Sequence, residues 1–331
     1  MKLGTILLWG DDLSRFRHQL GLAEELGYDV VGVGDSPAAW NEMYVSLTVA
    51  ALASSTAVLT PMVTTPALRH PSVTAGAMSA LHKLTGGRVV LTIGSGGSAV
   101  GSIGRKPATQ QEMREYVESV RSLLAGGSAE FGGHTAAALQ QARPVPIYIS
   151  ADGPKSLRLA GELADGVVIG LGMSVDVVDE KIATARDGAV AAGRDPDALD
   201  VWGLAFASVR DDAEQAKRDI TPLLASVGGM GLKTPHMRAL IPADLRDAVS
   251  RLEAQYDPRQ HVVVGGSGAR LVEELGLVDF LVGLRGLTGT PDQVRRYAEQ
   301  VEKLGVTCLL AALPGSPDPD GTLRRMAQAL R

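Results

Sequence analysis

Ile147-Tyr-Ile-Ser-Ala-Asp-Gly-Pro-Lys-Ser156 passes directly from an apolar, β-branched run into a helix start. Ile147–Ala151 is apolar on both faces, the pattern of a parallel strand covered by helices on each side. Gly153 permits a close chain approach, and Pro154 fits the first position of a helix, where its missing N–H is not needed. The stretch is therefore a strand–loop–helix unit. Working outward, the same kind of strand recurs at Leu3–Trp9, Val30–Gly34, Val58–Val63, Val89–Gly94, Val167–Leu171, Val201–Ser208 and Val306–Leu313. Between these runs lie helical stripes: Leu13, Phe16, Leu20, Ala23 and Leu26; Met113, Val117, Val120 and Leu124; and Val294, Tyr297, Val301 and Leu304. The last stripe follows Thr290-Pro291-Asp292, an N-cap with proline behind it. Strand–helix alternation along the whole chain, with no run of consecutive strands, predicts a (β/α)8 TIM barrel occupying residues 1–331 as a single domain. A doubly wound open sheet is the alternative.

Two regions interrupt the alternation. Gly94–Pro107 is a glycine-rich link after the fourth strand, and residues 211–289 hold extra helical material with the turn-rich run Gly265-Gly-Ser-Gly268. In a barrel such insertions follow strand C-termini, where they build and cover the active site. Apolar residues make up 45% of the chain and charged residues 21%, with a formal net charge of -5. That balance offers no attraction to nucleic acid or to an anionic membrane. The lone Cys308 sits in an apolar run, reads as core and excludes an intrachain disulfide. Met1–Trp9 is too short and too lightly flanked for a signal peptide, and no apolar stretch reaches membrane-spanning length, so a cytoplasmic protein is expected.

Four segments could carry chemistry. Leu91-Thr-Ile-Gly-Ser-Gly-Gly-Ser-Ala99 formally contains G-x-G-x-x-A, but it follows the fourth strand and precedes a long loop, which argues against a dinucleotide turn. Its glycines suit backbone approach to a flat ring, or simple flexibility. At Ser150–Ser156 the free N–H groups of a helix N-terminus, with Lys155 beside them, make an anion site; an ordinary capped junction is the plainer reading. Asp152 would repel phosphate there unless its carboxylate caps the helix. Asp35, Ser36 and Trp40 stand at the exit of the second strand, where the carboxylate and hydroxyl could bond a cofactor or merely satisfy turn N–H groups. Pro61 implies a local distortion near the end of the third strand, and His70, in Arg69-His70-Pro71, reads as a structural hydrogen-bonder. The six histidines show no zinc spacing, and neither a G-x-S-x-G elbow nor a P-loop is present, so no metal is expected.

Taken in order, Gly34-Asp-Ser36, Thr64-Thr-Pro-Ala-Leu-Arg-His-Pro71, Leu84-Thr-Gly-Gly-Arg-Val-Val-Leu-Thr-Ile-Gly94, the Ile147–Ser156 stretch, Leu159-Ala-Gly-Glu-Leu-Ala-Asp-Gly166, Tyr256-Asp-Pro-Arg-Gln-His261 and Gly289-Thr-Pro-Asp292 resemble the luciferase-like monooxygenase superfamily. The resemblance is strongest to its coenzyme F420-dependent branch, which includes methylenetetrahydromethanopterin reductase. It implies a TIM barrel, usually dimeric, with a deazaflavin or isoalloxazine ring at the C-terminal face. Asp35, Ser36 and the backbone of Gly94, Ser95 and Gly96 would lie near the ring. Ala151, Asp152, Gly153, Pro154 and Lys155 would hold the cofactor phosphate. Met62–Val63, followed by Thr64, would match a non-proline cis peptide behind the ring, and His261 a histidine of the substrate-side insertion.

The chain also departs from that pattern. Gly97 stands where F420-branch reductases often carry an Asp or Glu, and Ser36 where sugar-phosphate dehydrogenase relatives place a histidine, although Trp40 is kept. Asp35, Ser36 and His261 are then the catalytic candidates, with His261 the best remaining proton donor. Three readings stay open. The first is hydride transfer between F420 and a small organic substrate. The second is an FMN-dependent monooxygenase supplied by a flavin or deazaflavin reductase partner. The third is a barrel that binds flavin without turnover. A homodimer is expected in each case.

Overall fold

The computed structural model describes residues 1–257, 266–313 and 315–331. Its strands are β1 (Lys2–Leu7), β2 (Val30–Val33), β3 (Val58–Pro61), β4 (Leu91–Ile93), β5 (Ala129–Phe131), β6 (His134–Ala136), β7 (Ile147–Ser150), β8 (Gly166–Ile169), β9 (Asp200–Val209), β10 (Gly286–Gly289) and β11 (Cys308–Ala312). Eight of them run in the order β3-β2-β1-β11-β9-β8-β7-β4, with every pairing along that path parallel. Parallel bridges Leu59↔Val89 and Thr64↔Ile93 bring β3 back to the β4 edge. The chain is a (β/α)8 barrel and not an open sheet.

Alternation along the strands divides the apolar residues into two layers. Leu3, Leu7, Val31, Leu59, Leu91, Ile147, Ile149, Val167 and Leu309 point outward, where the surrounding helices cover them. Ile6, Val30, Tyr148, Val168, Trp202, Leu204, Leu310 and Ala312 fill the barrel. Space inside is tight enough to demand glycine: a Cβ on Gly4 would lie 2.3 Å from Leu310 Cδ2, and one on Gly32 2.9 Å from Met62 Cβ. The helical stripes read from the sequence are the buried faces. Helix Gln110–Leu124 turns in Met113, Val117, Val120 and Leu124, and helix Pro291–Leu304 starts at a capping box made by Thr290 and Gln293.

Three features differ from expectation. β5 and β6 form an antiparallel hairpin across Gly132-Gly133, both at positive φ, which a two-residue primed turn requires. β4 is shorter than Val89–Gly94, because Val89 contributes only an isolated bridge. β10 lies inside the insertion and pairs with Phe206–Val209, extending β9 beyond Ser208. The other elements among the described residues of the insertion are helical, and Leu223, Leu224, Leu252, Val272, Leu277 and Leu281 pack in one cluster with Leu204 and Phe206 of β9. No helix among the described residues is long and apolar enough to cross a membrane.

Candidate active site

The C-terminal strand ends bring together most of the residues singled out by sequence. At the exit of β2, Asp35 is 2% exposed at its side chain, so its charge needs partners. It has them: Arg69 donates through Nη1 at 2.5 Å and Nη2 at 3.0 Å, and Thr64 Oγ1 donates at 2.7 Å. The bidentate fork leaves Asp35 a clamp rather than a free ligand, and it does not serve its turn's N–H groups. Arg69 also reaches Glu42 at 2.6 Å and covers the Tyr44 ring. Burial alone would lower the guanidinium's pKa, but Asp35 and Glu42 raise it above its ordinary value. Ser36 stays partly exposed beside this clamp, and its carbonyl accepts from Ala39 and Trp40.

β3 ends at Pro61, and the Met62–Val63 peptide beyond it is cis, as the resemblance implied. Thr64 N–H then donates to Thr92, and Gly94 N–H to Thr64, seating the turn against β4. Gly94 packs against Val63, where a Cβ would come within 2.8 Å of Cγ2. The Ser95 carbonyl accepts from Thr65 Oγ1 and Ala108 N–H, and Gly96 adopts φ +101. A short helix, Ser98–Ser102, does follow the Gly-x-Gly, contrary to the expectation of an unbroken loop. The main helix begins only at Gln110. A Cβ at Gly97 would meet nothing within 4 Å, so the position is open.

At the exit of β7, helix Pro154–Leu163 starts at Gly153 with no side-chain cap, and Lys155 is exposed on its first turn. Asp152 neither caps this helix nor faces its N-terminus. Its Oδ1 accepts from Gly170 N–H at 2.9 Å, Leu171 N–H at 2.8 Å and Lys181 Nζ at 2.7 Å. Burial pushes its pKa up, but the Lys181 charge and the two N–H groups outweigh that and hold it below its ordinary value. Ala151 is buried behind this junction.

Some predicted or overlooked residues stand elsewhere. His261 lies outside the described residues. His70 is the N-cap of helix Pro71–Thr85, accepting from Ser72 N–H, a structural task. Cys308 is buried inside the barrel, which pushes its thiol pKa up. The sequence reading missed Lys181 and Arg285. Lys181 could have been found, because it interrupts the buried stripe Val178, Ile182, Ala185 of helix Val175–Ala191. Arg285 ends a helix of the insertion and carries no comparable signal.

A family model described as luciferase-like monooxygenase matches residues 1–308. The 5,10-methylenetetrahydromethanopterin reductase of Archaeoglobus fulgidus is 30% identical over 341 residues, covering 100% of this chain and 98% of the relative. The enzyme of the same name from Methanolobus tindarius is 29% identical over 350 residues, covering 100% and 99%. Among solved structures, the coenzyme F420 dependent tetrahydromethanopterin reductase of Methanopyrus kandleri superposes with a TM-score of 0.82 at 24% identity, over 99% of this chain and 98% of that one.

Proposed function

The chain belongs to the luciferase-like monooxygenase family, and from that premise we propose that it is an oxidoreductase passing a hydride between coenzyme F420 and a small organic substrate at the C-terminal mouth of the barrel. Full-length relatives named as methylenetetrahydromethanopterin reductases support the reaction class. The observation that carries the reading on this chain is the uncapped start of helix Pro154–Leu163, whose free N–H groups and neighbouring Lys155 suit a phosphate. Space fits as well: a Cβ on Gly153 would meet only Ser156 Oγ, at 3.9 Å, so the fold itself does not fill the cradle.

F420, when bound, supplies the hydride chemistry, and the chain's residues bind, orient and shield it. Ala151–Lys155 hold the phosphate end. Met62–Val63 and Thr64 form a wall behind the ring, fixed by the Asp35–Arg69 clamp through Thr64 Oγ1. Gly94, Ser95 and Gly96 present backbone to the ring edge, and Ser36 offers a hydroxyl at the mouth. The insertion excludes water from above.

A homodimer belongs to the same proposal. Helix Met43–Ala53 is largely apolar and leaves Val45 and Leu52 exposed, and Val73 of the neighbouring helix Pro71–Thr85 is exposed as well. A second copy of this chain is the occupant we assign to that face, and sedimentation as a monomer would reject it. The cofactor itself is tested by purifying the protein from a host that makes both F420 and FMN. The absorption spectrum and mass of the retained cofactor should be those of F420. Retained FMN with oxygen-dependent turnover would replace this reading with the monooxygenase.

A further inference from the structure

Lys181 lies on the buried stripe of helix Val175–Ala191, with its side chain 4% exposed. An ammonium costs free energy to bury unless its donors find acceptors. Lys181 Nζ donates to Asp152 Oδ1 at 2.7 Å and to the Leu171 carbonyl. Those acceptors belong to different strand exits. Asp152 follows β7 and precedes Gly153, where helix Pro154–Leu163 starts, whereas Leu171 follows β8. The segment from Gly170 to Met173 is then bonded in a new direction at almost every residue. Gly170 and Leu171 give their N–H groups to Asp152. Gly172 gives its N–H to the Leu284 carbonyl at 2.6 Å, in the insertion's last helix, Val278–Arg285. The Met173 carbonyl accepts the Tyr297 hydroxyl at 2.7 Å, from helix Pro291–Leu304. The segment has little slack. Gly172 sits at φ +75, which favours glycine, and a Cβ there would come within 2.8 Å of Val177 Cγ1. One short run of backbone therefore joins the start of helix Pro154–Leu163 to the insertion, and Lys181 fixes it from both sides. If stability alone were at stake, neutral side chains of similar volume would serve as well as a buried ion pair.

We propose that Lys181 is a positioning residue that couples the cofactor's phosphate cradle to the insertion through Asp152 and the segment Gly170–Met173. An occupant of the cradle then steadies helix Val278–Arg285, and the insertion's hold on Gly172 in turn strengthens cofactor binding. The two effects are one coupling free energy seen from either end. The proposal rests on the F420 reading above and adds to it how the two walls of the site are held in register.

Amide hydrogen exchange of the full chain, with and without saturating F420, tests the coupling. In the wild type, F420 should slow exchange across residues 278–285 by about fivefold or more, the low end of ordinary coupling between sites. In Lys181→Met, again at saturation, that slowing should fall below about twofold, while F420 affinity read by cofactor fluorescence weakens about fivefold. Each variant is compared with its own F420-free form, so a uniform loss of stability cancels. Because Lys181→Met leaves Asp152 without its cation, Lys181→Met/Asp152→Asn is measured beside it. That double variant removes both charges together, should melt near the wild type, and should lose the same protection. Protection across 278–285 that survives in either folded variant means that the cofactor orders the insertion directly, and overturns the role of Lys181. Absence of protection in the wild type overturns it equally. FMN is run in parallel. If the protein binds FMN and not F420, the F420 reading falls, and Lys181-dependent protection by FMN upholds the coupling. Protection by FMN that ignores Lys181, or binding of neither cofactor, overturns the coupling as well.

Discussion

At the N-terminal rim, Glu24 Oε1 accepts from Ser55 N–H at 2.7 Å, Ser55 Oγ at 2.9 Å, Thr56 N–H at 2.6 Å and Thr56 Oγ1 at 2.8 Å. At the C-terminal rim, helix Pro154–Leu163 begins with no cap and Arg285 carries an unsatisfied Nε. The contrast extends beyond these residues. On the N-terminal side, Met1 pairs with Glu302, Arg331 with Asp29, and Asp200 takes the Tyr148 hydroxyl and the Trp202 indole N–H. Burial pushes the Glu24 pKa up, but its four donors bring it down to about 2. A cavity of about 460 Å³ lies on this rim, lined by Lys2, Asp29, Glu302 and Arg331 among others. Volume therefore does not locate function in this barrel. The uncapped helix start at the C-terminal strand ends is the better guide to the proposed site, because free N–H groups there suit an anion.

The largest effect that sharpens this contrast is expected at Arg69. Arg69→Met leaves the Asp35 carboxylate buried with only Thr64 as partner, and breaking such a pair costs about 3–5 kcal/mol. Thermal unfolding of the variant should reflect that loss. Unchanged stability would mean that Asp35 reaches water or takes up a proton, and the clamp would lose its meaning.

Gly153→Val should act on the ligand rather than the fold. Gly153 sits at φ -93 and ψ 155, a conformation open to any residue, and its Cβ direction is nearly empty. The variant should melt close to wild type while F420 affinity falls about a hundredfold, or roughly 2.7 kcal/mol. Retained affinity would remove Ala151–Lys155 from the site.

A control on the other rim should move the opposite quantity. Tyr148→Phe deletes the hydroxyl bonded to Asp200 and should lower stability by about 1 kcal/mol. F420 affinity should stay at the wild-type value. A cofactor defect in this variant would break the division between the rims.

The legible part of this molecule is what repeats or what punctuates. Apolar runs gave every barrel strand, and Thr290-Pro291 gave a helix start, because burial and capping leave local marks. The hairpin was also marked, by Gly132-Gly133, but its short polar strands lack hydrophobic alternation. Candidate site positions stood out because strand ends carry glycine, proline and polar residues together. Partner choice did not emerge. Nothing local to Asp35 announces Arg69, 34 residues away, and nothing near Asp152 announces Lys181, 29 residues away. Asp35 read as a cofactor ligand or a turn acceptor, and Asp152 as a helix cap or an obstacle to phosphate, until the fold supplied their cations.

The smallest effect concerns acid, and it probes the Asp152 clamp behind the proposed phosphate cradle. Because the folded protein holds this carboxyl below its ordinary value of 3.8, the unfolded chain binds the proton more tightly. Stability from this group is therefore fully present above the unfolded pKa and is lost as pH falls through the folded one. Wild type should exceed Asp152→Asn in melting temperature by a constant margin from neutral pH down to about pH 5, and the margin should shrink below about pH 4. The junction Ala151–Gly153 is tied to Gly170 and Leu171 only through this group's Oδ1 among the side-chain bonds described. F420 affinity should then weaken in the same acidic window in wild type and show a flatter profile in Asp152→Asn. A margin that stays constant to pH 3 would show that the carboxylate is not held by charge. A margin that shrinks while F420 affinity does not would separate the clamp from the cradle.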